Sequence, residues 1–359
     1  MTRAPVFDLH CDAVLKLYHK GTRLSDDNPA SHVDIPKMRR GGVDGVCFSL
    51  YCDHAFNGPA AVARTHTMLD LAKKEIQRCS ADLFLTTTAQ DLDESLRQGK
   101  ITAMLGIEGG HSIDCDLKNL ERFHKAGVRR LTLTHTKSTS WAASGADAED
   151  RGLSDFGREV VAFMNDIGMV VDLAHVSRQT LLDAAAASRK PVICSHSLAR
   201  AAFDYPRLST DEEIRAIARS GGVFGVCLLA DFFPGADAQV TEKWMKEIYA
   251  LLNDEPAGLS AEAAADRKME LFFDFPPPAG VAPVEGLVPH IDHVIGLIGE
   301  DHVAIGTDFD GMPFGPRGLE NASRFDNLRS LLSAHGYSQE RICKLLGANA
   351  RRVLKEILG

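Results

Sequence analysis

Phe7-Asp8-Leu9-His10-Cys11-Asp12 closes the first apolar run of the chain with an imidazole and a carboxylate two residues apart. Alternate side chains of an extended strand share a face, so His10 and Asp12 project together while Cys11 faces away. Such a pair is half of a metal-ligand set. Other apolar runs end in the same way: Glu108 follows Ile101–Ile107, His135 follows Arg130–Thr134, and His175 follows Met169–Ala174. His196 follows Pro191–Ser195, and Asp308 follows His302–Thr307. Alone, each has a plain reading: a histidine satisfied at a strand end, an aspartate capping a helix, or a glutamate paired with an arginine. Together they point to one shared site.

Several carboxylates gathered among histidines are costly to bury unless positive charge offsets them, and divalent cations are the obvious source. Zn²⁺ accepts mixed histidine and carboxylate ligands, and two ions side by side need a shared ligand. Glu108, with two oxygens and a central place among the ligands, is the expected bridge. His111 and Asp172 fit either ligand-orienting positions or packing. His290, His293 and His302 precede or open the last strand and are read as structural.

The elements that must deliver these groups are short apolar runs alternating with amphipathic helical patterns. The runs end near Leu9, Phe48, Ile107, Leu133, Leu173, Cys194, Cys227 and Ile305. Eight buried parallel strands separated by helices predict a closed (β/α)8 TIM barrel, whose active sites lie at the C-terminal ends of the strands. No GxGxxG follows the first strand, which weakens a dinucleotide-binding alternative. Ala81–Thr88 reads as an extra edge strand. Ser154–Ile167 reads as a helix capped by Ser154 or Asp155. Residues 1–359 are expected to form one barrel domain. Residues 231–283 would be an insertion or lid between strands seven and eight, with a helix around Glu242–Leu252 and the Pro276–Pro278 tract.

At 359 residues, with 45% hydrophobic and 25% charged content, the chain has the make-up of a globular enzyme. A net charge of −9 with dispersed Lys and Arg argues against nucleic acid or an anionic membrane as partner. No apolar run is long enough to span a bilayer. The strand opens too close to Met1 for a signal peptide, so a cytoplasmic location is expected. The eight cysteines lack CxxC spacing and read as small buried hydrophobes in a reducing compartment.

Asp8-Leu-His-Cys-Asp12, Gly106-Ile-Glu-Gly-Gly-His111, Leu131-Thr-Leu-Thr-His135, Val171-Asp-Leu-Ala-His175, Ser195-His-Ser-Leu-Ala-Arg200, Tyr205-Pro-Arg207 and Gly306-Thr-Asp-Phe-Asp-Gly311 run in that order along the chain. Together with Gly347-Ala-Asn-Ala-Arg-Arg-Val353, they resemble the membrane (renal) dipeptidase family of the amidohydrolase superfamily. The resemblance implies a two-zinc peptidase for dipeptides, and leaves open whether L-Xaa-D-Xaa is among them. His10, Asp12 and Glu108 would hold one ion, and Glu108, His175 and His196 the other. His135 would contact the scissile carbonyl oxygen, Arg207 the substrate's C-terminal carboxylate, and Asp308 would move protons. Arg200 competes with Arg207 on residue type alone, since either guanidinium could grip a carboxylate with both oxygens. The family also suggests a homodimer. Leu9, Cys11 and the Thr136–Ser144 loop depart from the family's usual residues, and that loop borders the substrate. Two other readings stay open from the residues: a different amidohydrolase reaction on the same metals (lactone, N-acyl amino acid or cyclic amide), or a non-catalytic metal-binding scaffold.

Overall fold

The structure, a computed structural model, describes residues 4–147, 149–233, 238–253, 258–278 and 280–359. Nine strands are named in chain order: β1 Val6–Cys11, β2 Val43–Tyr51, β3 Leu83–Leu85, β4 Ile101–Glu108, β5 Val128–Thr132, β6 Val170–Asp172, β7 Ile193–Ser197, β8 Val223–Val226 and β9 Val303–Ile305. Every pairing between them is parallel. The order β2-β1-β9-β8-β7-β6-β5-β4 closes on itself because β2 also pairs with β4 from Gly45–Thr102 to Tyr51–Glu108. The expected eight-stranded barrel is therefore present. The expected extra strand is β3, which pairs with Ile101–Ala103 of β4. Further along that edge, β4 turns to β5 at Leu105–Glu108, so the two strands share it in succession.

Full burial explains the mainly apolar character of strands such as β4, all eight of whose residues are buried, Thr102 and Glu108 being its polar members. Phe7, Leu9, Cys47, Met104, Val170, Ile193, Val223 and Ala304, one or two from each of seven strands, pack into a plug with Ala350, Val353, Leu354 and Ile357. The latter four belong to the final helix, Asn349–Leu358, which touches β1, β6, β8 and β9 and so lies across the end of the barrel away from the strand C-termini. A single π-helical turn, Lys344–Ala348, leads into that helix. Here Gly347 is required, since a Cβ would lie 3.0 Å from both the Phe7 nitrogen and the Pro5 oxygen.

Ser154 caps the helix Asp155–Asp166 by accepting from the Gly157 N–H, which decides between the two cap candidates. In the 231–283 segment the described residues hold two helices, Ala238–Asn253 and Ala261–Phe273. The first covers the expected helix; the second was not expected. Trp244 ties the first helix to Pro276, its indole N–H reaching the carbonyl at 2.9 Å, and its ring meets Phe314 edge-on. Among the described residues no helix is long and apolar enough to cross a membrane. All eight cysteines are free; six are buried, and burial holds the Cys11 thiol well above its ordinary range.

Candidate active site

The C-terminal ends of β1, β4, β7 and β9, with the loops following β5 and β6, bring the predicted groups together. Glu108 stands at the centre. Its Oε2 lies 3.5 Å from His10 Nε2, while Oε1 lies 3.2 Å from His175 Nε2 and 3.5 Å from His196 Nε2. His10 Nε2 is also 3.1 Å from Asp12 Oδ2 and 3.7 Å from Asp308 Oδ1. The Nε2 atoms of His175 and His196 face each other at 2.8 Å. Three overlapping groups therefore have ligand atoms within 4.8 Å of one another: His10–Glu108–His196, Glu108–His135–His175 and His10–Asp12–Asp308.

Local backbone conformation contributes to this convergence. His175 and Asp308 adopt left-handed φ values of 65° and 63°, a sparsely populated conformation for residues with a Cβ. Gly311 allows two carboxylates to approach, because a Cβ there would sit 2.4 Å from Asp12 Oδ2 and 2.5 Å from Asp308 Oδ1. Asp8 holds β1 to β9 by accepting from the Thr307 N–H and hydroxyl. In the Thr136–Ser144 loop, the Ser144 hydroxyl donates to the His135 carbonyl, and Ser144 bridges to Val176 beside His175. The loop thereby holds the two histidines next to each other, with ring centroids 4.3 Å apart.

Arg200 and Arg207 part company here. Arg200 turns outward onto Asp204, whereas Arg207 enters the site, its NH2 3.1 Å from His175 Nε2 and 3.4 Å from the His196 carbonyl. Asp310 accepts from the His32 and Val33 N–H groups and pairs with buried Lys16. Asp172 takes the ligand-orienting option. It accepts from Thr132 and from both the backbone and the hydroxyl of Ser195, and that hydroxyl meets His196 Nδ1 at 2.8 Å. His111 instead stacks on His54 at 4.0 Å, with both ring nitrogens buried and unpartnered. His290, His293 and His302 bond Phe232, Asp211 and Gly222, away from this cluster.

Sequence reasoning missed Ser49, Ser195 and Arg130. Ser49 donates to Glu108 Oε2 at 3.2 Å from the neighbouring strand. Arg130, fully buried on β5, bonds the Leu9 carbonyl and His10 Nδ1. Neither strand alone carried a signal for it. Gly106 is its register partner on β4, and a Cβ there would lie 2.4 Å from Arg130 Nε.

Charge is frustrated in this cluster. Burial drives the Asp308 carboxyl well up, with Asp12 and Glu108 adding to the effect against the pull of His10. Burial also raises Asp12. His10 is carried up to about 9, because Glu108 and Asp12 outweigh the opposing effect of its burial. Burial, together with neighbouring cationic groups, pushes His135, His175 and His196 well down. Neutral imidazoles beside carboxylates that resist sharing one cavity are a donor set suited to divalent cations. Asp12 Oδ1, buried and unpartnered, is a further available ligand atom.

A barrel with such a donor set at its C-terminal mouth has the make-up of a metal-dependent enzyme. Residues 1–358 match the family model for membrane dipeptidase, peptidase family M19. The chain belongs to that family and is a metallodipeptidase. An uncharacterized dipeptidase of Schizosaccharomyces pombe is 32% identical over 91% of this chain and 72% of its own length. Dipeptidase ataJ of Aspergillus terreus is 30% identical over 99% and 85%. Among solved structures, the dipeptidase AC of family M19 superposes with a TM-score of 0.82 at 24% identity, covering all of both chains. A Rhodobacter sphaeroides metallopeptidase, liganded with a phosphinate mimic of the dipeptide L-Ala-D-Ala, gives 0.81 at 23%, covering 99% of this chain and all of the other.

Proposed function

We propose that this chain cleaves the peptide bond of dipeptides, L-Xaa-D-Xaa among them, at a site for two zinc ions. His10, Asp12 and Glu108 would hold one ion; Glu108, His175 and His196 would hold the other. The observation that carries this reading is the division of Glu108, one oxygen toward His10 and the other toward His175 and His196. When bound, the ions supply water activation near neutral pH and polarisation of the scissile carbonyl.

The chain's own residues do the rest. Asp308, its Oδ1 3.7 Å from His10 Nε2, accepts the proton of the attacking water and returns it to the departing amine. His135, set against the Tyr51 ring at 4.6 Å, faces the scissile carbonyl oxygen and stabilises charge as it develops there. Arg207 grips the substrate's C-terminal carboxylate with its planar fork, after swinging off His175 Nε2. Fixing that carboxylate sets the length of substrate that fits. A free carboxylate one residue past the scissile bond satisfies it, and a longer peptide does not. The L,D reading draws support from the dipeptide mimic bound by the Rhodobacter sphaeroides relative.

The test is zinc analysis of purified protein followed by assays of L-Ala-L-Ala, L-Ala-D-Ala, tripeptides and lactones. Two zinc ions per chain with dipeptide hydrolysis are expected. Lactone hydrolysis in the absence of dipeptidase activity transfers the site to the other amidohydrolase reading.

A further inference from the structure

Arg130 has the wrong chemistry for its place. A metal-ligating histidine ordinarily donates its second ring N–H to a carboxylate, carbonyl or water, which fixes the ring and strengthens it as a ligand. Behind His10 stands a guanidinium instead, its NH1 3.0 Å from Nδ1. Guanidinium has only donors and keeps its charge at every accessible pH. It is fully buried, its Nε and NH2 have no partner, and the nearest carboxylate, Asp172, is 3.6 Å away. Gly106 leaves the room for it. On the other side of the site His196 has the ordinary arrangement, its Nδ1 meeting the Ser195 hydroxyl backed by Asp172, while the guanidinium near His175, that of Arg207, lies at Nε2 and not behind the ring. The two halves thus differ in what stands behind their histidines.

We propose that Arg130 is a positioning residue that makes the His10–Asp12 half the weaker and more exchangeable of the two cation sites. A fixed positive charge behind one ligand repels the incoming ion and gives His10 a donor where a ligand gains from an acceptor. The same charge neutralises part of the Asp12, Glu108 and Asp308 cluster, so the cage keeps its shape before an ion arrives. This inference rests on the two-ion reading above.

The test is zinc binding by chelator competition, with the melting temperature of metal-free and metal-loaded protein read alongside. Wild type is expected to bind two ions with separated affinities. Arg130→Met should tighten the weaker event about tenfold or more, leave the tighter one within about threefold, and destabilise the metal-free form more than the loaded one. Arg130→Lys keeps the charge and should keep the gap. Should Arg130→Met fail to fold, Arg130→Gln, which can still bond the Leu9 carbonyl without a charge, gives the same reading. Two ions with affinities unchanged or weakened in the uncharged variants, or equal tightening in the lysine variant, overturn the role of Arg130 and leave the two-ion reading intact. Uptake of fewer than two ions by wild type sinks that reading itself.

Discussion

In the proposed mechanism Asp308 serves the chemistry and Arg207 the binding, and single substitutions should separate the two. Asp308→Asn keeps the shape of the side chain but removes the exchangeable proton; kcat should fall by about 10²–10⁴ with KM little changed and zinc retained. Steady-state kinetics alongside metal analysis checks this. Arg207→Ala should raise KM for dipeptides by about 10- to 100-fold, as expected on losing a charge-assisted hydrogen-bonded pair, and barely alter turnover of an uncharged ester or lactone. At this scale much of the site was readable, because His10, Glu108, His135, His175, His196 and Asp308 each end an apolar run. On residue type alone Arg207 and Arg200 could not be told apart; the resemblance chose Arg207, and Arg200 lies on Asp204. Arg130 stayed hidden because its meaning lies in a cross-strand neighbour, Gly106, and pairing register is not written in either strand alone.

Helix Ala13–Lys20 follows Asp12 directly, so whatever holds that helix steadies a candidate ligand. The second helix of the 231–283 segment is one such hold. Its Asp266 pairs with Arg64, which is sandwiched between the Tyr18 and Phe56 rings, and Asp274 pairs with Lys20. The Arg64 side chain is 11% exposed, so Asp266→Ala should strand a nearly buried cation and cost about 1–2 kcal/mol. Urea denaturation would read this as a lower midpoint with unchanged slope. The strand ends and the Ser154 cap followed from pattern; the helix Ala261–Phe273 did not. Its first turns are dominated by alanine and charged residues, and the rings that anchor it come only at the end, so no apolar stripe announces it.

For the molecule as a whole, the cation site and the fold support each other. Stripping metal with a chelator should lower the melting temperature, since ligand binding at about a thousand times Kd is worth about 4 kcal/mol. Re-addition of zinc should restore it. A second dependence comes from Asp231, whose carboxyl burial alone pushes up to about 6. The unfolded chain releases that proton near the ordinary 3.8, so between these values the folded state binds more protons. Its contribution to stability is therefore lost as pH rises from about 4 to about 6. Asp231→Asn should melt above wild type at pH 7.5 and converge with it near pH 4, measured by calorimetry. The barrel itself was legible from eight apolar runs, and so was the meeting of β2 with β4, because Ala81–Thr88 already read as an extra edge strand outside the ring.

The seam between β1 and β9 is fastened by Asp8 and Thr307, groups 299 residues apart. Such a distant closure is among the slowest events available to a chain, so the catalytic pocket should mature late in refolding. Stopped-flow refolding should therefore show tryptophan fluorescence recovering ahead of enzymatic competence. Hydrogen exchange should find the Thr307 amide among the last to gain protection.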